Sequence, residues 1–203
     1  MRYVIMAAGN GKRWNNYLGI PKHLIEINGE TLLGRTTRLL KENGIKDYVI
    51  TCSNPLYAQY GPTTPQTVMD CEVDRFEESV INGPICYLYG DVYYTENAIK
   101  TIINTPANDI QFFGHPWEIF AVKVNYIDLF LYHKHRVKEL YLQGQLDRCI
   151  GWEVYRSLSG IPLKDHIIKD RYTVIDDGTD DIDYPQEYEE FKERIEGVAN
   201  GIH

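Results

Sequence analysis

The hydrophobic positions of the chain form short apolar runs that alternate with amphipathic segments. The apolar runs predict buried strands, which cover residues 3–7, 24–27, 47–52, 66–71, 85–89, 119–124 and 172–175. Apolar residues spaced three or four apart predict helices, which cover residues 32–41, 75–82, 96–104, 128–143, 146–158 and 186–198. This alternation with short connections predicts an α/β fold, a single Rossmann-like domain with a mostly parallel sheet flanked by helices.

Residues with special backbone preferences mark several ends of these elements. Asn28-Gly29 is a turn dipeptide after the second predicted strand. Thr31 is suited to cap the first predicted helix, and Gly44 is suited to stop it. Residues 53–65 contain three prolines and several polar residues, so we expect a loop there.

Composition narrows the class of protein. The chain has 203 residues, of which 43% are hydrophobic and 25% charged, and we expect one globular domain over residues 1–203. No apolar stretch is long enough to span a bilayer, and no charged-then-apolar leader precedes the first strand. We therefore expect a cytoplasmic protein with no membrane partner.

The charge balance bears on the kind of ligand. A net charge of −8 argues against a nucleic-acid partner, because such binding needs a basic face. In an acidic protein, an anionic ligand must be met by local cations or by a divalent metal. The cysteines show neither C-x-x-C pairing nor histidines at zinc spacing, so we expect reduced core thiols. They are Cys52, Cys71, Cys86 and Cys149.

The first predicted strand runs directly into a glycine-containing loop followed by cations. Residues 6–13 read MAAGNGKR, and Lys22 follows Pro21 a short distance further on. Glycines let backbone N–H groups approach phosphate oxygens, while Lys and Arg supply positive charge. The spacing fits neither a Walker loop nor a dinucleotide fingerprint. Two interpretations stay open at this point, a polyphosphate site and an ordinary strand-to-loop turn with exposed lysines.

The same residues resemble the signature of the nucleotidyltransferase family with a GT-A-like fold, (L/M)-A-A-G-x-G-x-R followed by P-K. That family includes nucleotidyltransferases of sugar phosphates, the molybdenum cofactor, methylerythritol phosphate and phosphocholine. One departure is Lys12, where the family usually has Ser or Thr. The resemblance implies a nucleotide-binding part over about residues 1–110 and an acceptor-binding part over about residues 111–180.

A carboxylate follows the central predicted strand. Asp91 comes after residues 85–89 and Gly90, and ligands of open α/β sheets gather beyond the carboxyl ends of strands. The position resembles the family's strand-end Gly-Asp, whose aspartate binds Mg²⁺ and orients the nucleotide phosphates. The alternative is an aspartate that caps the helix near Thr95.

A second carboxylate belongs to a late motif. Residues 181–188, DIDYPQEY, resemble the family's (N/D)-x-D-(T/S)-P-E-D-(L/Y), in which Asp183 matches the metal-binding aspartate. Tyr184 replaces the usual Thr or Ser. Mg²⁺ takes one or two protein carboxylates and completes its shell with phosphate oxygens and water. We expect the neighbouring acids, Asp176, Asp177, Asp180 and Asp181, to be solvated turn residues.

The resemblance implies a reaction as well as a site. A phosphate oxygen of an acceptor would attack the α-phosphorus of CTP or another nucleoside triphosphate and release pyrophosphate. Arg13 would hold the β- and γ-phosphates, Lys22 would bridge the acceptor phosphate and the α-phosphate, and Mg²⁺ would bridge to Asp91 and Asp183. The implied nucleotide-binding residues are Ala7, Ala8, Gly9, Asn10, Gly11, Lys12, Arg13 and Ser79.

The base and the acceptor rest on weaker patterns. Residues 75–83 resemble the R-x-x-S-V-x-x-G stretch of cytidylyltransferases, which implies that Ser79 helps to recognise cytosine; the alternative is a surface hydroxyl. Trp117 with Glu118, and Glu153 beside Trp152, could bind a cationic amino group of a small zwitterionic acceptor. Each pair could equally be a core aromatic with a surface acid.

Within this family, the chain resembles the cytidylyltransferases of the phosphocholine type, and it is also similar to those of capsule and surface-polysaccharide pathways. The resemblance implies phosphocholine or phosphoglutamine as examples of the acceptor. Three other functions stay open: a sugar-1-phosphate nucleotidyltransferase, a glycosyltransferase of related fold, and a non-catalytic nucleotide-binding module. The glycosyltransferase is disfavoured because its usual Asp-x-Asp is missing at Asp91-Val92-Tyr93.

Overall fold

The computed structural model describes residues 1–9, 11–106 and 108–199. Its strands are β1 (Arg2–Met6), β2 (Glu26–Ile27), β3 (Glu30–Thr31), β4 (Tyr48–Thr51), β5 (Thr63–Thr64), β6 (Ile85–Tyr89), β7 (Val92–Tyr93), β8 (Ile110–His115), β9 (Glu118–Val124), β10 (Tyr172–Val174) and β11 (Asp180–Asp181). Its α-helices are α1 (Leu32–Glu42), α2 (Glu96–Asn104), α3 (Ile127–Leu142), α4 (Gly151–Leu158) and α5 (Pro185–Ala199).

The central sheet has the strand order β10-β8-β9-β6-β1-β4-β5. Strand β1 is parallel to both β4 and β6, β4 is parallel to β5, and β8 is parallel to β10. Strand β9 alone in this sheet runs antiparallel to its neighbours, β6 and β8. The predicted α/β fold with a mostly parallel sheet flanked by helices is therefore confirmed. Strands from both predicted parts of the chain share this one sheet.

The main core lies around the middle of this sheet. Every residue of β6 is buried, as expected for a central strand that is covered on both faces. Helix α1 contributes Leu33 and Leu40 to this core, and α3 contributes Phe130, whose ring packs edge-on against that of Phe76 at 5.3 Å. The four cysteines are free, and Cys86 is fully buried in β6.

A second, smaller core joins the two ends of the chain. The ring of Tyr188 in α5 packs against Trp14 at 6.0 Å, and Phe191 packs against Tyr93 at 5.0 Å. The Tyr188 hydroxyl also donates a hydrogen bond of 3.0 Å to the Glu26 carbonyl oxygen. These contacts hold the start of α5 beside the loop that follows β1.

Several predicted elements agree closely with the structure. Helix α2 has the predicted limits, and α1 begins after Thr31, whose hydroxyl accepts a hydrogen bond from the Gly34 amide at 3.0 Å. Gly44 ends this helical segment with a φ of 78°. The loop predicted over 53–65 contains a 3₁₀ turn at Pro55–Gln59 and the short strand β5.

Two neighbouring predictions are wrong, the strand over 66–71 and the helix over 75–82. Residues 66–71 form a loop whose polar groups are bound by carboxylates, since Glu77 accepts from Thr67 and Asp74 accepts from the Asp70 amide. A 3₁₀ turn covers Glu72–Arg75, and residues 76–82 form turns and bends rather than a helix. Side-chain acceptors here compete with regular backbone pairing, which hydrophobic periodicity does not report.

Two of the longer elements also differ from the sequence prediction, and the short strands β3, β5, β7 and β11 were not predicted. Strand β8 was not predicted, although it pairs along its whole length with β9. Helix α4 begins at Gly151 rather than at residue 146, because the Glu153 carboxylate accepts a hydrogen bond from the Ile150 amide and caps the helix there. Among the described residues, no helix is both long and apolar enough to cross a membrane.

The irregularity between β8 and β9 yields a stability prediction. A Cβ at Gly114 would overlap the Glu118 carbonyl oxygen and approach the Tyr172 hydroxyl to 2.6 Å. We expect Gly114→Ala to lower the free energy of unfolding by about 2–3 kcal/mol, because backbone rather than a flexible side chain blocks the methyl group. Urea unfolding measures this change.

The matched control is Gly197→Ala in α5, where a Cβ meets no atom within 4 Å. Alanine is the better helix former, so this variant should be neutral or more stable by up to about 1 kcal/mol. Equal stability of the two variants would contradict the packing described at Gly114.

Candidate active site

A cavity of about 960 Å³ lies beyond the carboxyl ends of β1, β4 and β6. Its wall includes the loop after β1, residues 53–55 after β4, and Asp91 after β6. This is the edge of the sheet where the sequence predicts a ligand. We call it the first cavity.

Most of the predicted nucleotide-binding residues line the first cavity. They are Ala7, Ala8, Gly9, Gly11, Lys12 and Arg13. Lys22 lines it as well. Asn10 lies outside the described residues. Ser79 does not line this cavity; it is exposed in a turn, where its amide donates to the Glu77 carboxylate at 3.0 Å. Its role in base recognition stays a prediction.

An ammonium group shared by two carboxylates lies at the base of the first cavity. Lys22 Nζ donates to Asp91 Oδ2 at 2.8 Å and to Asp183 Oδ1 at 2.8 Å. The side chains of Lys22 and Asp91 are 9% and 8% exposed. The structure thus brings together three residues that the sequence placed in one site from distant motifs.

Local pairing explains why the two aspartates meet. Strand β7, which follows Asp91, pairs antiparallel with β11, which precedes Asp183. The Ile182 amide donates to the Asp91 carbonyl oxygen at 3.0 Å. The amides of Asp183 and Tyr184 both donate to Glu187 Oε2, at 2.8 and 2.9 Å, which fixes the entry into α5.

The electrostatics of this group favour its charged form. Burial alone would raise the pKa of Asp91, but the Lys22 ammonium and the Arg75 guanidinium hold it well below its usual range. Burial would likewise lower the pKa of Lys22, yet Asp91 and Asp183 raise it overall. Both groups are therefore ionised at neutral pH, and each stabilises the charge on the other.

Arg13 adds a second cation on the solvent side of Asp183. Its guanidinium donates to Asp183 Oδ2 and lies over the Tyr184 ring, 5.7 Å from the ring centre. The Arg13 side chain is half exposed, in contrast to Lys22. It can therefore move to meet a ligand in the cavity without disturbing the core.

The pair Asp91 and Asp183 fits the predicted Mg²⁺ in donor chemistry. Both offer oxygen ligands in the wall of the first cavity, and Asp91 Oδ1 accepts no hydrogen bond from any described residue. A different group of possible ligands, His115, Glu118 and Asp180, has its ligand atoms within 4.8 Å of one another. That group includes neither of the predicted aspartates.

A second cavity, of about 340 Å³, adjoins the first. Its wall includes the predicted acceptor residues Trp117 and Glu118. Five side chains line both cavities and mark their junction: Arg13, Glu72, Arg75, Asp91 and Asp183. A molecule in the second cavity would therefore face the same aspartates and arginines as a molecule in the first.

The second cavity carries acidic groups with raised pKa values. Burial, together with the nearby carboxylates of Asp180 and Glu187, raises the pKa of Glu118 to about 7. Burial and the Glu118 and Asp183 carboxylates raise the pKa of Asp181 to about 8. The expectation that Asp181 is a solvated turn residue is wrong, because β11 pairs with β7 and turns this side chain into the cavity wall.

The third predicted acceptor residue, Glu153, lies elsewhere. It is 3% exposed and is absent from the wall of either cavity. Its Oε1 accepts from Arg156 at 2.9 Å, and its Oε2 accepts from the Ile150 amide. These contacts assign Glu153 to the cap of α4 and to a buried ion pair, and a contact with the acceptor stays a prediction.

The sequence analysis assigned no role to several residues of the first cavity, among them Glu72, Arg75 and His23. Glu72 lies between the predicted strand and the predicted helix, and Arg75 was predicted to begin that helix, so the pattern gave no signal for their direction. His23 is buried, bonds to the Tyr57 hydroxyl at 2.9 Å, and has a pKa lowered to about 4 by burial. Its position directly after Lys22 was the one available signal.

Comparison with known proteins supports the resemblance. A family model described as the MobA-like NTP transferase domain matches residues 3–82. A curated relative, the bifunctional IPC transferase and DIPP synthase of Thermococcus kodakarensis, is 40% identical over 62 residues. That match covers 29% of this chain and 14% of the relative. Residues 3–82, less than half of the chain, are thus similar to an NTP transferase domain.

Solved structures extend the likeness to the whole fold. The inositol-1-phosphate CTP transferase from T. maritima has a TM-score of 0.59 at 13% identity, covering 96% of each chain. The CTP:phosphocholine cytidylyltransferase from Streptococcus pneumoniae has a TM-score of 0.60 at 14% identity, covering 95% of this chain and 98% of that one. The nucleotidyltransferase fold expected from the sequence is confirmed.

The shared ammonium group yields a pH-dependent prediction. We expect Lys22→Met to lower the free energy of unfolding at pH 7 by about 3–5 kcal/mol in buffer with EDTA, because it leaves two carboxylates facing each other, one of them deeply buried. The folded-state pKa of Asp91 lies below its unfolded value of about 3.9. Its contribution is therefore present above that pH and lost as pH falls, so the gap between wild type and variant should narrow toward about pH 3.

The double variant Lys22→Met/Asp91→Asn should recover part of the lost stability at pH 7. As a control, Lys100→Met removes an exposed pair with Glu96 and should change stability by less than about 0.5 kcal/mol. A gap between wild type and Lys22→Met that stays constant with pH would refute this account.

Proposed function

We propose that the protein transfers a cytidylyl group from CTP to a small phosphorylated acceptor and releases pyrophosphate. The observation that carries the proposal is the shared position of Lys22 between Asp91 and Asp183, at the junction of two cavities. The first cavity suits a nucleoside triphosphate in size and charge, and the second suits a small acceptor. The proposal keeps the expectation of a cytoplasmic enzyme.

The donor phosphates would lie along the loop after β1. Its backbone amides and small side chains, Ala7 to Gly9, allow close approach, while Lys12 and Arg13 supply positive charge. Arg13 would hold the β- and γ-phosphates, and Lys12 would assist the pyrophosphate as it leaves. The proposal keeps the division into a nucleotide part over about residues 1–110 and an acceptor part over about 111–180.

The chemical step needs positioning of the reactants and neutralisation of the developing negative charge, and it needs no covalent intermediate. An oxygen of the acceptor phosphate forms a bond to the α-phosphorus, and the bond from that phosphorus to the pyrophosphate oxygen breaks. Lys22 would bridge the α-phosphate and the acceptor phosphate and stabilise the added charge. An acceptor phosphate is already ionised at neutral pH, so no general base is required.

The proposed cofactor is Mg²⁺, held by Asp91 and Asp183. Bound there, the ion would supply charge stabilisation at the phosphate oxygens and align the triphosphate. The chain's own contribution is to keep both carboxylates ionised and oriented, through Lys22 and through the pairing of β7 with β11.

The acceptor is proposed to carry a cationic group. Glu118 and Asp181 lie in the second cavity with raised pKa values, so a bound ammonium group would relieve the repulsion between them. Trp117, 64% exposed, offers an aromatic face for the same group. Phosphocholine and phosphoglutamine, the latter in capsule biosynthesis, both meet this requirement, whereas a sugar phosphate does not.

The first test asks for the reaction itself. With CTP and a panel of phosphorylated acceptors, wild type should release pyrophosphate. Asp91→Asn, Asp183→Asn and Lys22→Ala should each reduce turnover by about 10²-fold or more, since each removes charge at the reacting phosphates. Circular dichroism establishes that each variant is folded.

Asp128→Asn, in the first turn of α3 and outside both cavities, is the matched control and should keep wild-type turnover. A non-catalytic module would bind CTP without turnover, and hydrolysis of a nucleotide sugar would indicate a glycosyltransferase. Full activity in all three site variants would contradict the proposed site.

A second test concerns the charge of the acceptor. Glu118→Gln should raise the KM for phosphocholine or another ammonium-bearing acceptor by about tenfold, and leave the KM for CTP unchanged. Glu139→Gln, on α3 and away from both cavities, should change neither. A preference of the wild type for inositol phosphate or glucose 1-phosphate would overturn the cationic acceptor.

A further inference from the structure

Arg75 occupies a position that the proposed donor site does not explain. It ends the 3₁₀ turn Glu72–Arg75, and its side chain forms part of the wall of both cavities. The side chain is 18% exposed, so the guanidinium is held inside the protein rather than in bulk water. A buried cation of this kind needs either a protein partner or a ligand.

Protein partners for the Arg75 guanidinium are few. Its nearest carboxylate oxygen is Asp91 Oδ2, at 3.9 Å, and that oxygen already accepts a hydrogen bond from Lys22 at 2.8 Å. Within the described residues, the guanidinium donates no hydrogen bond to the protein. Burial alone would lower the pKa of Arg75, but the negative charges of Asp91 and Glu72 raise it overall. Its fork of N–H donors is thus available to an anion at the junction.

The protein holds this fork in place from several sides. Arg75 Nη2 lies 2.9 Å from the point where a side chain on Gly9 would begin, so the guanidinium rests against the phosphate-binding loop. The Arg75 carbonyl oxygen accepts from the Glu77 amide at 2.8 Å. The next residue is fixed through Lys134, whose Nζ donates to the Phe76 carbonyl oxygen at 2.9 Å. The backbone at Arg75 is therefore fixed by hydrogen bonds, and its guanidinium is packed against the loop after β1.

We infer that Arg75 binds the phosphate group of the acceptor and positions it against the α-phosphate of the nucleotide. The inference rests on the proposed function and names the residue that selects phosphorylated acceptors. An arginine fork can bind two oxygens of one phosphate, which fixes the orientation of the attacking oxygen as well as its charge.

The distribution of charge around the two cavities favours the acceptor phosphate, rather than the donor phosphates, as the ligand of Arg75. Lys12 and Arg13 lie along the first cavity and serve the triphosphate. Away from the junction, the wall of the second cavity has the carboxyl groups of Glu118, Asp181 and Glu187 and one exposed cation, Arg148, so the buried cation that a phosphate there can meet lies at the junction. Arg75 is the most buried arginine there, and Arg13 is the half-exposed one.

The test uses inorganic phosphate as the probe, together with a CTP analogue that has a methylene group between its α- and β-phosphates. Tryptophan fluorescence can report both, because Trp14 lines the first cavity and Trp117 and Trp152 line the second. Phosphate is titrated with and without the analogue, for wild type, Arg75→Met and Arg75→Lys.

We expect Arg75→Met to raise the Kd for phosphate by about tenfold or more and to change the Kd for the analogue by less than about threefold. Arg75→Lys keeps the charge but not the fork, and should lose less phosphate affinity. With an active acceptor, the same variants should raise the KM for the acceptor and leave the KM for CTP unchanged. Arg136→Met, outside both cavities, should behave as wild type.

Weakened binding of the analogue with unchanged phosphate binding would overturn the inference and place Arg75 in the donor site. Unchanged binding of both ligands in folded Arg75→Met would overturn it as well. If wild type fails to bind the CTP analogue, the proposed function fails; the phosphate titration without nucleotide then still decides whether Arg75 binds phosphate.

Discussion

The ion triad of Asp91, Lys22 and Asp183 is the interaction on which the rest of the site depends. An isolated charge at this depth would be strongly unfavourable, and a pair would leave one aspartate unbalanced. One ammonium between two carboxylates, at 2.8 Å from each, satisfies all three only if three distant parts of the chain arrive together. The fold around the triad can be understood as the means of bringing them there.

Two features of the fold bring these three residues together. The ribbon of β7 and β11 aligns the segment after Asp91 with the segment before Asp183. The smaller core then ties α5 to the loop after β1 through aromatic contacts of Trp14 and Tyr188. Neither feature belongs to the large sheet. Of the two aspartates, the large sheet positions only Asp91. A rigid sheet and a separately packed C-terminal helix thus each contribute one carboxylate to the same lysine.

How far the sequence predicts this arrangement depends on where the determining interactions lie. Helices α1 and α2 follow from caps and periodicity, and Lys22, Asp91 and Asp183 lie in local motifs, so they could be found from the sequence. The segment from 66 to 82 could not be predicted, because carboxylates of Asp74 and Glu77 bind backbone groups that periodicity assigns to a strand. The direction of Arg75 was missed because it belongs to this segment, and the position of Asp181 in the cavity wall was missed because it depends on the long-range pairing of β11 with β7.

Lys22 has two distinct roles, one in the ligand-free protein and one in the proposed reaction. In the ligand-free protein its ammonium group pairs with two carboxylates, and in the proposed reaction it also meets two phosphates. These roles are compatible because phosphates add negative charge to a site where Arg13 and Arg75 lie within reach of the same aspartates. Since Lys22 is buried and Arg13 is half exposed, the lysine is the fixed element and the arginine the adjustable one. A loss of activity on removing Lys22 therefore has two causes, the lost charge at the phosphates and the disturbed pair of aspartates. Arg75 donates no hydrogen bond to a described residue, so a change at Arg75 acts more directly on bound anions.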